Sequence, residues 1–203
     1  MLKVFSMASI NPPVCDFGWQ APDFNLVNVD GNLVSLDLAM GKNGLLVMFI
    51  CNHCPYVKAI LPRLVADVRE LQTLGVNIVA IMSNDPTDYP EDSVENMQKI
   101  AREMDFPFPY LLDASQQIAK DYGAVCTPDF FGFNNKLKLQ YRGRFDESRK
   151  ETAPQCTRDL FYAMKMIAET GTGPKEQVAS IGCSIKWQWQ LELANYVFVM
   201  MQF

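Results

Sequence analysis

Apolar positions run along this chain in two rhythms. Leu45–Ile50 is an unbroken apolar run between Gly44 and a cysteine pair, which predicts a central strand buried on both faces. Beyond Pro55, the residues Val57, Ile60, Leu61, Leu64, Val65, Val68 and Leu71 recur at helical spacing until Gly75 stops them. Val76–Met82 is a second apolar strand, so strand, helix and strand form a crossover unit with a parallel pair. Phe24, Leu26, Val29, the turn Asp30-Gly31, and Leu33, Val34 and Leu36 predict a hairpin ahead of this unit. After it, Asp92 followed by Glu95 marks the start of a helix running to about Met104. Pro107–Leu112 reads as a short strand, Gln116–Tyr122 as a short helix, and Phe130–Phe133 as a strand. Asn134-Asn135 turns that strand into Lys136–Arg142. Thr157–Ala168, with Leu160, Phe161, Met164 and Ile167 on one face, predicts the last helix before Gly171. Residues 1–20 have no period and read as an N-terminal arm; residues 174–203 form a C-terminal extension without assigned elements. The fold class is α/β, one domain over 1–203 with a central mixed sheet flanked by helices.

Composition narrows the function. The 203 residues carry 18 Lys+Arg against 23 Asp+Glu, a formal charge of −5, which offers no broad basic footprint for nucleic acid. No apolar run reaches the length of a membrane-spanning helix, so no membrane is expected as a partner. The opening residues lack the pattern of a secretory signal, and the expected compartment is cytoplasmic. The apolar tail Leu191–Phe203 should pack on the domain or on a second copy, which makes a homodimer plausible. The stretch Asn84–Asp92 is turn-rich and acidic and reads as a solvated loop, because it lacks the glycine of a calcium-binding EF-hand.

Six cysteines in a cytosolic domain with an adequate core do not predict a disulfide scaffold. Only Cys51 and Cys54 form a Cys-x-x-Cys pair, which leaves no second pair for a four-thiolate zinc site. His53 is the only histidine, so mechanisms that need two are excluded. Cys51-Asn52-His53-Cys54-Pro55 lies where a buried strand meets a helix, the edge at which open α/β sheets place their sites. Free N–H groups at the helix start favour a thiolate, and Pro55 suits the first helical turn. His53 beside Cys51 should lower the thiol pKa from its ordinary value near 8.5. These residues predict that the Cys51 thiolate attacks a disulfide and that Cys54 resolves the mixed disulfide. No organic cofactor is needed. A rival reading takes Cys51, Cys54, His53 and Cys126 as copper or zinc ligands of a non-enzymatic module.

The stretches Ala21-Pro22-Asp23-Phe24, Phe49 through Lys58, Ser83-Asn84-Asp85, Tyr89-Pro90-Glu91-Asp92, Cys126 through Phe131, Tyr141 through Arg144 and Gly182 through Trp187 make the chain recognisable. It resembles the thioredoxin-like superfamily and, within it, a bacterial peroxiredoxin-like branch of the alkyl hydroperoxide reductase and thiol-specific antioxidant group. The resemblance implies a thioredoxin fold, a redox-active pair at Cys51 and Cys54, and a cis Thr127-Pro128 bond facing that pair. Thr127 and Pro128 would then shape a groove in which an extended substrate pairs beside Cys51. The resemblance also implies a protein or small-molecule disulfide as substrate and a thioredoxin-type reductant. A thiol peroxidase acting on a hydroperoxide is the alternative within the group. True peroxiredoxins carry Pro-x-x-x-Thr/Ser-x-x-Cys; aligned on Cys54, that pattern meets Val47 and Cys51 instead of proline and a hydroxyl residue. Arg142 and Arg144 could supply a charge near a thiolate, but hairpin arginines are expected to be solvated. Cys126 and Cys183 are possible additional redox thiols, with burial as a small hydrophobe the simpler expectation for each.

Overall fold

Gly44–Phe49 is fully buried along its length, and its neighbours on both sides complete the sheet. The computed structural model describes residues 9–10 (backbone only), 12–13, 15–151 and 156–188. In chain order the strands are β1 (Ser9–Ile10), β2 (Asn25–Asn28), β3 (Leu33–Ser35), β4 (Gly44–Phe49), β5 (Val76–Met82), β6 (Tyr110–Leu112), β7 (Cys126–Thr127), β8 (Asp129–Phe133), β9 (Leu139–Arg142) and β10 (Gly182–Ser184). The helices are α1 (Leu36–Ala39), α2 (Pro55–Thr73), α3 (Val94–Glu103), α4 (Gln117–Asp121) and α5 (Asp159–Thr170). A seven-stranded sheet has the order β3-β2-β6-β5-β4-β8-β9. β4, β5 and β6 are parallel, while β8, β9, β2 and β3 join antiparallel, so the sheet is mixed as expected.

Alternation along β4 divides the core. Leu46 and Met48 face α2 and α5 with Ile60, Leu64, Val68, Met164 and Ile167. Leu45, Val47 and Phe49 face the other layer with Phe24, Leu36, Tyr122, Phe131 and Phe133. Each large side chain so buried contributes about 1.5–3 kcal/mol of transfer free energy. The predicted hairpin, crossover unit and last helix are all present. The start of α3 differs for a physical reason: Ser93, whose Oγ accepts the Asn96 N–H, caps α3, and Asp92 is therefore released for another task. The segment expected to lack assigned elements contains β10, which pairs with β7 on one side and with β1 of the N-terminal arm on the other. The expectation for Leu191–Phe203 falls outside the described residues.

Candidate active site

Phe49 ends β4 and Pro55 opens α2, so the five residues between them occupy the carboxyl edge of the parallel pair β4–β5. Cys54 is the N-cap of α2 and Pro55 sits in its first turn, where no N–H is required. From the opposite side β7 delivers Thr127, and the Thr127-Pro128 bond is cis. Cys51 Sγ lies 3.1 Å from Thr127 Oγ1, and Cys54 Sγ lies 3.1 Å from the Thr127 carbonyl oxygen. One threonine thus touches both sulfurs. Both cysteines are buried, and neither lines the cleft of about 240 Å³ that opens at Tyr56 and Pro128 with Ile60, Phe145, Ser180 and Ile181.

Most of the acidic loop is exposed as expected, but its two ends, Asn84 and Asp92, are buried against this motif. Asp92 is fully buried, and its Oδ1 accepts the N–H groups of Asn52 (2.8 Å) and His53 (3.1 Å). Its Oδ2 accepts from Asn84 Nδ2 at 2.9 Å and lies 2.6 Å from His53 Nδ1. Burial alone would push this carboxyl up, but the bonds from His53 and Asn84 hold it below the usual carboxylate range. A carboxylate offers only lone pairs, so the hydrogen of that contact belongs to Nδ1. His53 also stacks on Tyr89, with ring centroids 4.2 Å apart. Its Nε2 is buried with no hydrogen-bond partner.

This arrangement corrects the electrostatics expected around Cys51. His53 Nδ1 is 3.6 Å from Cys51 Sγ, yet its hydrogen is committed to Asp92. Burial pushes the Cys51 thiol well above its ordinary value, and its hydrogen bond to Cys54 and the Asp92 charge push the same way. Negative charge is stabilised on Cys54 instead. Hydrogen bonds from Cys183 and then Cys51 draw its pKa far down, and the Val57 N–H adds to this although no capping bond of normal geometry forms. As a thiol, Cys54 can donate to the Thr127 carbonyl; as a thiolate, it accepts from the two neighbouring thiols.

The other expected participants divide. Cys183 joins the thiol pair through Cys54, whereas Cys126 Sγ turns to the Pro128 carbonyl at 3.6 Å and burial raises its pKa. Arg142 is not solvated: it is buried, bonded to Asp129 at 3.0 Å and to the Gly123 carbonyl at 2.7 Å, and so is committed away from the thiols. Arg144 is bonded to Asp159 at 2.6 Å. The metal-competent group among the described residues is Cys51, His53 and Asp92, a different set from the one expected, without Cys54 or Cys126. Asp92 escaped sequence reasoning as a site residue because it lies 39 residues beyond His53 in a loop of like charges. Its one signal was the stretch Tyr89-Pro90-Glu91-Asp92, part of the resemblance.

A mixed sheet with helices on both faces, carrying a dithiol at a strand–helix junction opposite a cis proline, defines a protein of thioredoxin-like fold. The chain belongs to the AhpC/TSA family, whose family model matches residues 17–144. It is 45% identical to an uncharacterized conserved protein of Geobacillus kaustophilus, over 91% of this chain and 99% of that one, with a TM-score of 0.86. A hypothetical protein of Sinorhizobium meliloti 1021 is 38% identical over 88% of this chain and 98% of its own, with a TM-score of 0.84. The thioredoxin domain of a Bacteroides vulgatus thiol-disulfide oxidoreductase shares the fold at 22% identity and a TM-score of 0.52, covering 66% of this chain and 89% of its own. No curated protein matches the chain significantly.

Proposed function

We propose that this protein is a thiol-disulfide oxidoreductase that reduces or exchanges protein or small-molecule disulfides through Cys51 and Cys54. The observation that carries this reading is the convergence of both sulfurs on Thr127, 3.1 Å from each. Cys51, which ends the strand side of the motif, is the attacking sulfur, and Cys54, the N-cap of α2, is the one that resolves. The Cys51 proton passes to the Cys54 thiolate as Cys51 bonds to one substrate sulfur. The other substrate sulfur leaves as a thiolate and takes that proton from Cys54. Cys54 then attacks Cys51 Sγ, the Cys51–substrate bond breaks, and the second substrate thiolate departs. The protein ends with a Cys51–Cys54 disulfide, and the substrate has gained both electrons. A thiolate-stabilising Cys54 makes this disulfide comparatively oxidising.

The hydroperoxidase reading has less support, because Val47 and Cys51 replace the expected proline and hydroxyl residue and Arg142 is engaged by Asp129. The test uses a disulfide-bonded peptide and hydrogen peroxide as separate substrates. Cys51→Ser should lower disulfide turnover at least about a hundredfold, ~2.7 kcal/mol of barrier, and Cys54→Ser should accumulate a mixed disulfide on Cys51, visible by mass spectrometry. Peroxide turnover surpassing disulfide turnover would replace this reading with the peroxidase.

A further inference from the structure

β10 packs tightly against β7, the strand that carries Thr127. Its register sets Cys183 directly opposite Thr127, the residue that touches both site sulfurs, and Ser184 opposite Cys126. The approach depends on Gly182: a Cβ there would stand 2.1 Å from the Thr127 carbonyl oxygen. Cys183 consequently shares one buried cluster with Cys51, Cys54 and Tyr56, and its interaction with Cys54 holds the proton on its thiol. β10 is itself held in place from its other edge by β1, and Lys186 N–H donates to Asn84 Oδ1 at 2.9 Å, tying the segment to the loop that carries Asp92. Three thiols therefore converge on Thr127, two through their sulfurs and the third through its strand register.

We propose that Cys183 is a third redox thiol, which moves the disulfide from Cys51–Cys54 to Cys54–Cys183 and returns Cys51 as a free thiol. The inference rests on the oxidoreductase reading above, which supplies the first disulfide. In the exchange Cys183 Sγ bonds to Cys54 Sγ, the Cys51–Cys54 bond breaks, and Cys51 leaves with the bonding pair. The proton lost by Cys183 ends on Cys51, so no outside oxidant or reductant enters. Electrostatics favour this order of events. The Cys183 thiol is held up first by its hydrogen bond to Cys54, then by burial and by the Cys54 charge. Once Cys54 is in a disulfide its charge is gone, while Lys186 and Lys150 still favour a Cys183 thiolate. The oxidised sulfurs then lie buried beside β10, and Cys51 is left as a free thiol.

The full-length protein is reduced, treated with one equivalent of oxidised glutathione, sampled over time, quenched in acid, alkylated and mapped by mass spectrometry. The expected course is an early Cys51–Cys54 link giving way to Cys54–Cys183 in most of the oxidised molecules. Cys183→Ser should hold the link at Cys51–Cys54 throughout, with an unchanged far-ultraviolet spectrum showing that it folds. Cys51→Ser, oxidised with diamide, should still form Cys54–Cys183. A Cys51–Cys54 link that persists while Cys183 is recovered alkylated would overturn this inference and leave the oxidoreductase intact. No intramolecular link at all would overturn both.

Discussion

Asp92 governs the site at the scale of a single residue. Its charge faces Cys51 without a neutralising hydrogen bond between them, so removing the charge while keeping an acceptor should release the thiol. Asp92→Asn retains an oxygen for the Asn52 and His53 amides, and its expected effect is a lower pH midpoint for alkylation of Cys51, read by peptide mapping across pH. Asp92→Ala removes the acceptor as well, stranding one buried and one part-buried backbone donor, and should cost about 2 kcal/mol in urea unfolding. An unshifted alkylation profile in Asp92→Asn would show that burial alone sets the thiol. The residues that announce themselves by type and spacing, Cys51, His53, Cys54, Thr127 and Pro128, were all legible in sequence and meet in space. What sequence could not reveal is how protons are shared among them. Ionisation depends on partners such as Asp92 and Cys183, whose proximity exists only after folding.

Among the elements, the long ones and even the short β6 and α4 were readable, whereas β7 and β10 beside the site were not. β4, α2 and β5 carry enough apolar positions for their period to stand out. β7 has two residues, β10 has three, and their pairing depends on partners far along the chain, so no local rhythm marks them. Gly182 tests that pairing. Gly182→Ala places a methyl against the Thr127 carbonyl, and β10 must retreat. The expected cost is about 1–3 kcal/mol, a loss of several degrees in Tm, together with faster alkylation of Cys183. Unchanged Tm and alkylation would mean that the two strands separate more easily than their packing implies.

Two buried carboxyls pull the stability of the whole molecule in opposite directions as pH changes. Burial raises Asp129 to about 6 against the opposing pull of Arg142, so between pH ~4 and ~6 the folded chain holds a proton that the unfolded chain has lost. Its contribution is complete below pH ~4 and fades as pH rises through about 6, by up to roughly 3 kcal/mol. Asp92, held below its usual value, stabilises the fold above pH ~4 and loses that contribution as pH falls through its folded value. Urea unfolding from pH 4 to 7 should therefore show a falling component that Asp129→Asn removes, whatever its effect on absolute stability. A slope unchanged by that substitution would refute the assignment. The three-strand arrangement β1-β10-β7 also has a consequence in time. A ribosome adds about 5–20 residues per second, so Cys183 joins the chain on the order of ten seconds after Cys54. During that interval the nascent protein owns its dithiol but not the strand that shelters it, and the edge of β7 is open to any other extended chain nearby.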